Sequence, residues 1–248
     1  MDIAILIGGE GSRIKKISKT VPKPFLKIGN KSIIDHQLKF LSKIKKKIFL
    51  LSNRKYSRFH HQLKQKYKNI KFEIFEENMR LGTGGCLRSL IKYKNENYLI
   101  IFGDLIFNIN FKKFHKFHKK NKSDLTLLVH PNDHPYDSDL LEINEKNRLI
   151  KFHKKPHKKN NIGNLSLSGI LILNRKVLKH IAPNKFQDFS KNVLPKLLKK
   201  KCKIFAYNTR EYVKDAGTPK RIRLVKKQIQ TKKFTNGNID KKLPAIFL

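Results

Sequence analysis

Five apolar residues, Ile3-Ala4-Ile5-Leu6-Ile7, run straight into Gly8-Gly9-Glu10-Gly11-Ser12-Arg13. A short continuous apolar run that ends in glycines reads as a strand buried on both faces, the kind that parallel sheets use. The turn constrains the chain further. With no Cβ in the way, backbone N–H groups at Gly8, Gly9 and Gly11 can approach an anion closely. Ser12, Arg13 and, after a spacer, Lys23 within Pro22-Lys23-Pro24 add donors and counter-charge. The turn is not a P-loop, because no Gly-Lys-Ser/Thr closes it. It is not a dinucleotide fingerprint, because no third glycine stands three residues past Gly11. On glycine spacing alone, an ordinary strand-to-helix turn fits as well as a phosphate cradle.

Apolar runs alternate with amphipathic basic stretches along the chain. Strands are expected at Ile3–Ile7, Ile48–Ser52, Phe72–Phe75, Tyr98–Phe102, Leu125–His130, Leu140–Ile143, Leu149–Phe152, Leu165–Leu173 and Lys203–Tyr207. Helices are expected at Ser32–Lys43, Tyr56–Lys66, Thr83–Tyr93, Phe111–Asn121, Lys176–Ile181, Asp188–Lys200 and Pro219–Thr231. Thr218-Pro219 suits a helix start, with Thr as N-cap and Pro at the first helical position. Strand–helix alternation of this kind builds an α/β fold with a mostly parallel sheet and right-handed crossovers. Ligands of such sheets bind beyond the carboxyl ends of the strands, where the glycine turn lies.

The 248 residues are enough for one large domain, and a hydrophobic content of 39% is enough for a core. Lys and Arg total 57 against 18 Asp and Glu, a formal charge of +39. The basic runs at Lys45-Lys46-Lys47, Lys119-Lys120, Lys158-Lys159 and Lys199-Lys200-Lys201 are spread out, without a single basic arm. No zinc-finger spacing, RNP-type motif or basic-region heptad accompanies them. A chain-wide compositional drift explains the charge better than a specific nucleic-acid partner. The charge should still speed encounters with anionic nucleotides. Cys86 and Cys202 are far apart and have no metal-type spacing, which suits a reduced, cytoplasmic protein. Cys86 reads as a packed thiol, not a nucleophile. No signal peptide or membrane-spanning stretch is visible. The histidines His60-His61, His115 with His118, and His153 with His157 lack acidic or thiol partners and read as surface residues.

With Pro22-Lys23-Pro24, the first block resembles the signature of the sugar-phosphate nucleotidyltransferases, G-G-x-G-[ST]-R-L followed by P-K-P, with Ile14 in place of the final Leu. Further motifs follow in the family's order. Leu81-Gly82-Thr83-Gly84-Gly85 is similar to the segment that lies against base and ribose. Phe102-Gly103-Asp104 looks like the G-D step whose Asp binds Mg²⁺, and Asp215-Ala216-Gly217-Thr218-Pro219 looks like the D-x-G-T-P element with the second metal ligand. Phe152-His153-Lys154-Lys155-Pro156 resembles F-x-E-K-P, in which Lys155 would contact the sugar phosphate, but Lys154 replaces the usual Glu. Ser168-Gly169-Ile170 resembles the segment whose glycine backbone lies near the sugar.

The resemblance implies a Rossmann-like three-layer sandwich of the nucleotide-diphospho-sugar transferase type. It implies transfer of a nucleotidyl group from an NTP to a sugar 1-phosphate. Arg13 and Lys23 would be catalytic, Gly8, Gly9, Gly11, Ser12, Leu81, Gly82 and Thr83 nucleotide-binding, Lys155 and Gly169 sugar-phosphate-binding, and Asp104 and Asp215 the ligands of Mg²⁺. The implied partners are an NTP and a sugar 1-phosphate, without a specific nucleic acid or a membrane; an oligomer is compatible. The charge reversal at Lys154 leaves open an inactive nucleotide-sugar-binding homologue, and a cytidylyltransferase acting on a phospho-alcohol is a further alternative. The domain is expected to span 1–233. In the tail, 234–248, Ala245-Ile246-Phe247-Leu248 resembles the first strand of a HAD-type phosphatase as well as it suits a plain tail. Such fusions resemble enzymes of the GDP-heptose pathway and point to a manno-heptose 1-phosphate guanylyltransferase.

Overall fold

The strand expected at the N-terminus, β1 (Asp2–Leu6), is the hub of a nine-stranded sheet. The computed structural model describes residues 1–9, 21–42, 47–132, 135, 138–156 and 163–231. Arg13, Gly11, Ser12 and the tail from residue 232 onward lie outside the described residues.

Two small strands, β2 (Lys27–Ile28) and β3 (Lys31–Ser32), form a hairpin before helix α1 (Ile33–Leu41). Then come β4 (Ile48–Asn53), α2 (Ser57–Lys66), β5 (Phe72–Glu77), a single helical turn α3 (Gly82–Gly85), β6 (Asn97–Phe102), β7 (Leu105–Asn108) and α4 (Phe111–Lys120). The second half holds β8 (Leu125–Pro131), β9 (Leu140–Ile143), β10 (Leu149–His153), β11 (Leu165–Asn174), α5 (Leu194–Lys199), β12 (Ile204–Asn208), β13 (Tyr212–Asp215) and α6 (Pro219–Gln230).

In the sheet, β5, β4, β1 and β6 lie side by side and parallel, with Leu6 opposite both Leu51 and Phe102. β11 follows and runs the other way; β8 and β12 continue beyond it, and β9 with β10 extends one end. β1 therefore lies at the point where successive strands depart to opposite sides, the place where open α/β sheets keep their ligand crevice. Alternate residues of β1 serve opposite faces. Ile3, Ile5 and Ile7 pack with Ile34 and Leu38 of α1, Leu63 of α2 and Phe114 of α4. Ala4 faces Leu87, Leu90, Phe189, Val193 and Leu197 on the other side. Both faces are covered, which is why the strand is apolar throughout.

Several elements differ from the sequence expectation. Residues 86–92 form a 3-10 helix after the single turn α3. The N–H groups of Gly84 and Gly85 donate across to the Gln187 carbonyl at 2.8 and 3.0 Å, which ties the segment down from outside. The helix expected from Asp188 begins as a π-turn, Phe189–Val193, because the Asp188 carbonyl accepts from both Asn192 and Val193. The strands β7 and β13 were not expected; they form a separate antiparallel ribbon.

Two of the expected surface histidines are buried. His60 is 2% exposed and lies between Glu76 Oε1 at 2.9 Å and Ser52 Oγ at 2.6 Å. His118 is 2% exposed and lies between Thr126 Oγ1 at 2.8 Å and Asn97 Oδ1 at 3.0 Å. Full hydrogen bonding is what makes such burial tolerable. Burial pulls the His118 pKa down to about 4, helped by the nearby His115. His118 is thus neutral in the fold but takes up a proton in the unfolded chain below its ordinary value of 6.5. Its contribution is whole above pH 6.5 and lost as pH falls toward 4. The urea midpoint of the protein should therefore drop between pH 7 and pH 5, and His118→Asn should flatten that drop, even from a lower starting stability.

Candidate active site

A cleft opens at the carboxyl ends of β1, β4, β5 and β6. It is lined by Gly8 and Gly9 after β1, Leu51 in β4, Glu77 at the end of β5, and Phe102, Gly103 and Asp104 at the end of β6. Lys23 and Pro24 close one side, while Arg80, Gly82, Thr83, Phe186 and Asp188 form another wall. Of the residues expected at the site, Gly8, Gly9, Lys23, Gly82, Thr83 and Asp104 come together here.

The geometry around Asp104 is built by four hydrogen bonds. The Gly103 N–H donates to the Leu6 carbonyl at 2.9 Å, which carries the β1–β6 pairing one step past the strands. A Cβ at Gly103 would stand 2.5 Å from that same carbonyl oxygen, so only glycine fits. The buried Gln37 of α1 donates from Nε2 to the carbonyls of Phe102 at 3.0 Å and Leu105 at 2.9 Å, clamping both ends of the turn. The Ala216 N–H donates to the Asp104 carbonyl at 2.8 Å.

That last bond brings in the second expected carboxylate. β13 pairs with β7 so that Asp215 stands opposite Leu105, next to Asp104. The Asp215 carboxylate accepts from the Gly217 N–H at 2.9 Å and from Arg221 at 2.6 and 2.8 Å. Asp104 is ion-paired with Lys23. Gly217 lies where these groups meet: a Cβ on it would stand 2.5 Å from Asp215 Oδ1 and 3.1 Å from Lys23 Nζ.

This donor set fits a hard divalent cation. Magnesium is commonly held by one or two carboxylates together with substrate phosphates and waters. Asp104 and Asp215 would supply the carboxylates, and among the described residues no cluster of three or more His, Cys, Asp or Glu would supply a complete protein shell.

The other wall consists largely of residues that carry no motif. Glu77 is 8% exposed; burial raises its pKa, and the Leu81 N–H, which donates to it at 3.3 Å, works in the opposite direction. Thr83 Oγ1 donates to Asp188 Oδ2 at 3.2 Å and accepts from the Phe189 N–H at 2.9 Å. Cys86 is buried at the cleft's edge, and burial pushes its thiol pKa up, as suits a packed residue. Leu81 lies beneath this wall, its carbonyl accepting from the Gln187 N–H at 2.8 Å.

The residues expected at the sugar end are less gathered. Gly169 lies in β11 at an irregularity in the pairing with β8, with φ +86°, against the Phe102 ring and Leu105. Lys155 is exposed after β10, its N–H donating to Asp139 at 3.1 Å, and does not line the cleft. Lys154 is exposed beside it.

The nucleotidyl transferase family profile matches residues 3–232. The chain belongs to the nucleotidyl transferase family. It is 28% identical to the D-glycero-alpha-D-manno-heptose 1-phosphate guanylyltransferase of Aneurinibacillus thermoaerophilus over 93% of this chain and 99% of that one. It is 29% identical to the Campylobacter jejuni protein of the same name, over 88% of this chain and 96% of the other. Among solved structures, HddC of Yersinia pseudotuberculosis complexed with GMP-PN superposes with a TM-score of 0.78 at 25% identity, covering 92% of this chain and 99% of that one. The fold is therefore that of a nucleotidyl transferase, as the sequence resemblance implied. Among the described residues, no helix is long and apolar enough to cross a membrane.

The two glycines of the Asp104–Asp215 region should fail differently. Gly103→Ala meets backbone and should cost about 1–3 kcal/mol of stability. Gly217→Ala meets only the ends of two side chains, Asp215 and Lys23, so it should displace them and cut turnover while the urea midpoint stays near that of the parent. Denaturation and rate measurements on the two variants compare these outcomes directly.

Proposed function

We propose that this nucleotidyl transferase moves a guanylyl group from GTP to a sugar 1-phosphate, a manno-heptose or hexose 1-phosphate, releasing pyrophosphate. The observation that carries the reading is one cleft that joins Lys23, Asp104 and the Asp215–Gly217 turn at one end to the buried Glu77 at the other. The names of the relatives point the same way.

An oxygen of the sugar phosphate attacks the α-phosphorus. A new P–O bond forms as the bond to the β-phosphate oxygen breaks. The attacking phosphate is already ionised, so no general base is needed and catalysis reduces to alignment and charge neutralisation. Lys23 neutralises charge near the α-phosphate and Arg13 the departing pyrophosphate. The backbone of Gly8, Gly9 and Gly11, with Ser12, cradles the triphosphate, and Gly169 borders the sugar. Asp104 and Asp215 would hold Mg²⁺, which supplies charge stabilisation to the reacting phosphates.

Glu77 supports guanine as the base. The Watson–Crick edge of guanine offers two adjacent N–H donors, which a carboxylate accepts. The corresponding edges of uracil, cytosine and adenine carry no two donor nitrogens side by side. Leu81, Gly82 and Thr83 border the base and ribose. Two free cysteines and a nucleotide substrate fit a cytoplasmic enzyme of nucleotide-sugar synthesis.

The test is pyrophosphate release with Mg²⁺, a panel of NTPs and a panel of sugar 1-phosphates. Asp104→Asn and Arg13→Ala should abolish turnover with the fold intact; near-normal rates in either variant would reject the assignment. Glu77→Gln should lower kcat/KM for GTP by at least about tenfold, the scale of one hydrogen bond to a charged group, and should leave the values for other NTPs nearly unchanged.

A further inference from the structure

Phe186 is 49% exposed, yet it lines the cleft beside Arg80, Glu77 and Thr83. An open aromatic face in a cleft offers a surface on which another ring can stack. The segment that carries this ring is firmly held. The Gln187 N–H donates to the Leu81 carbonyl at 2.8 Å, and the Gln187 carbonyl accepts from Gly84 and Gly85. The Ala182 N–H donates to Gln187 Oε1 at 2.7 Å. Two residues on, the Phe189 N–H is tied to Thr83. The Arg80 guanidinium carbon lies 5.2 Å from the centre of the Phe186 ring. A guanidinium thus lies over an aromatic ring whose backbone is fixed in advance, and both groups are good partners for a nucleobase.

Position supports the same use. Phe186 borders the part of the cleft that follows β5, and Lys23 and Asp104 stand where β6 ends. β5 and β6 are separated by β4 and β1, so three strand spacings, about 14 Å, lie between their ends. A nucleotide with its phosphates at Lys23 reaches the Phe186 wall with its base.

We propose that Phe186, with Arg80 beside it, is the platform on which the base of the bound NTP lies, and that it favours purines over pyrimidines. Two fused rings overlap the platform more than one ring does. Glu77 then reads the edge of the base, and Phe186 its face and size. The proposal rests on the nucleotidyl-transfer reading in one respect, that an NTP occupies this cleft.

Calorimetric titrations of the full chain with GTP, CTP and inorganic tripolyphosphate, without sugar phosphate, test it. Phe186→Ala should weaken GTP binding roughly tenfold, as expected for loss of one base–aromatic stack, with a smaller loss for CTP and no change for tripolyphosphate. Phe186→Tyr should restore GTP binding. GTP affinity in Phe186→Ala within about twofold of the parent, where a tenfold loss is worth 1.4 kcal/mol, would overturn the platform. So would a loss that extends equally to tripolyphosphate, since that marks a structural role. A parent protein that binds tripolyphosphate but no nucleoside triphosphate overturns the nucleotidyl-transfer reading itself.

Discussion

One backbone hydrogen bond, from Gly103 N–H to the Leu6 carbonyl, sets the geometry on which the site depends. It extends the parallel pairing of β1 and β6 by one residue beyond the strands. The glycine turn after β1 and the Asp104 turn after β6 are therefore flush, although nearly a hundred residues separate them in sequence. Gln37 fixes the second turn from beneath, and the β7–β13 ribbon brings Asp215 to its side. No single segment contains a site; it exists because four chain segments end at one level of the sheet.

Much of this was legible in the sequence because it is local. The apolar run at Ile3–Ile7, the glycines after it and the Asp104 and Asp215 motifs each announce themselves within a few residues. The sheet followed from the alternation of strands and helices. What the sequence did not announce depends on distant partners. Gln37 looks like one more polar residue on a helix until its amide meets two carbonyls at the end of β6. Glu77, Arg80, Phe186 and Asp188 belong to no phosphate-binding pattern and become one wall only through the bonds between residues 81–85 and 187–189. β7 and β13 are four residues each and need one another to be strands.

The buried histidines make the same point from the side of energetics. Nothing in the spacing of His60 or His118 separates them from exposed neighbours in a basic chain. Each is inside because two polar atoms from other elements meet its ring nitrogens. Where such partners are present, a titratable ring becomes a neutral crosslink between elements.

The ion pairs on the cleft floor divide the electrostatic work of the molecule in two. Lys23 is matched to Asp104 and, close by, Arg221 to Asp215 before anything binds. The chain as a whole carries a formal charge of +39. An approaching polyanion is drawn in by that net charge, which salt screens over about 8–10 Å. Once inside, it meets a Lys23 already engaged and must exchange partners with the Asp104 carboxylate. Ionic strength thus acts mainly on how fast the cleft is found, and the exchange of partners governs how firmly its occupant is kept.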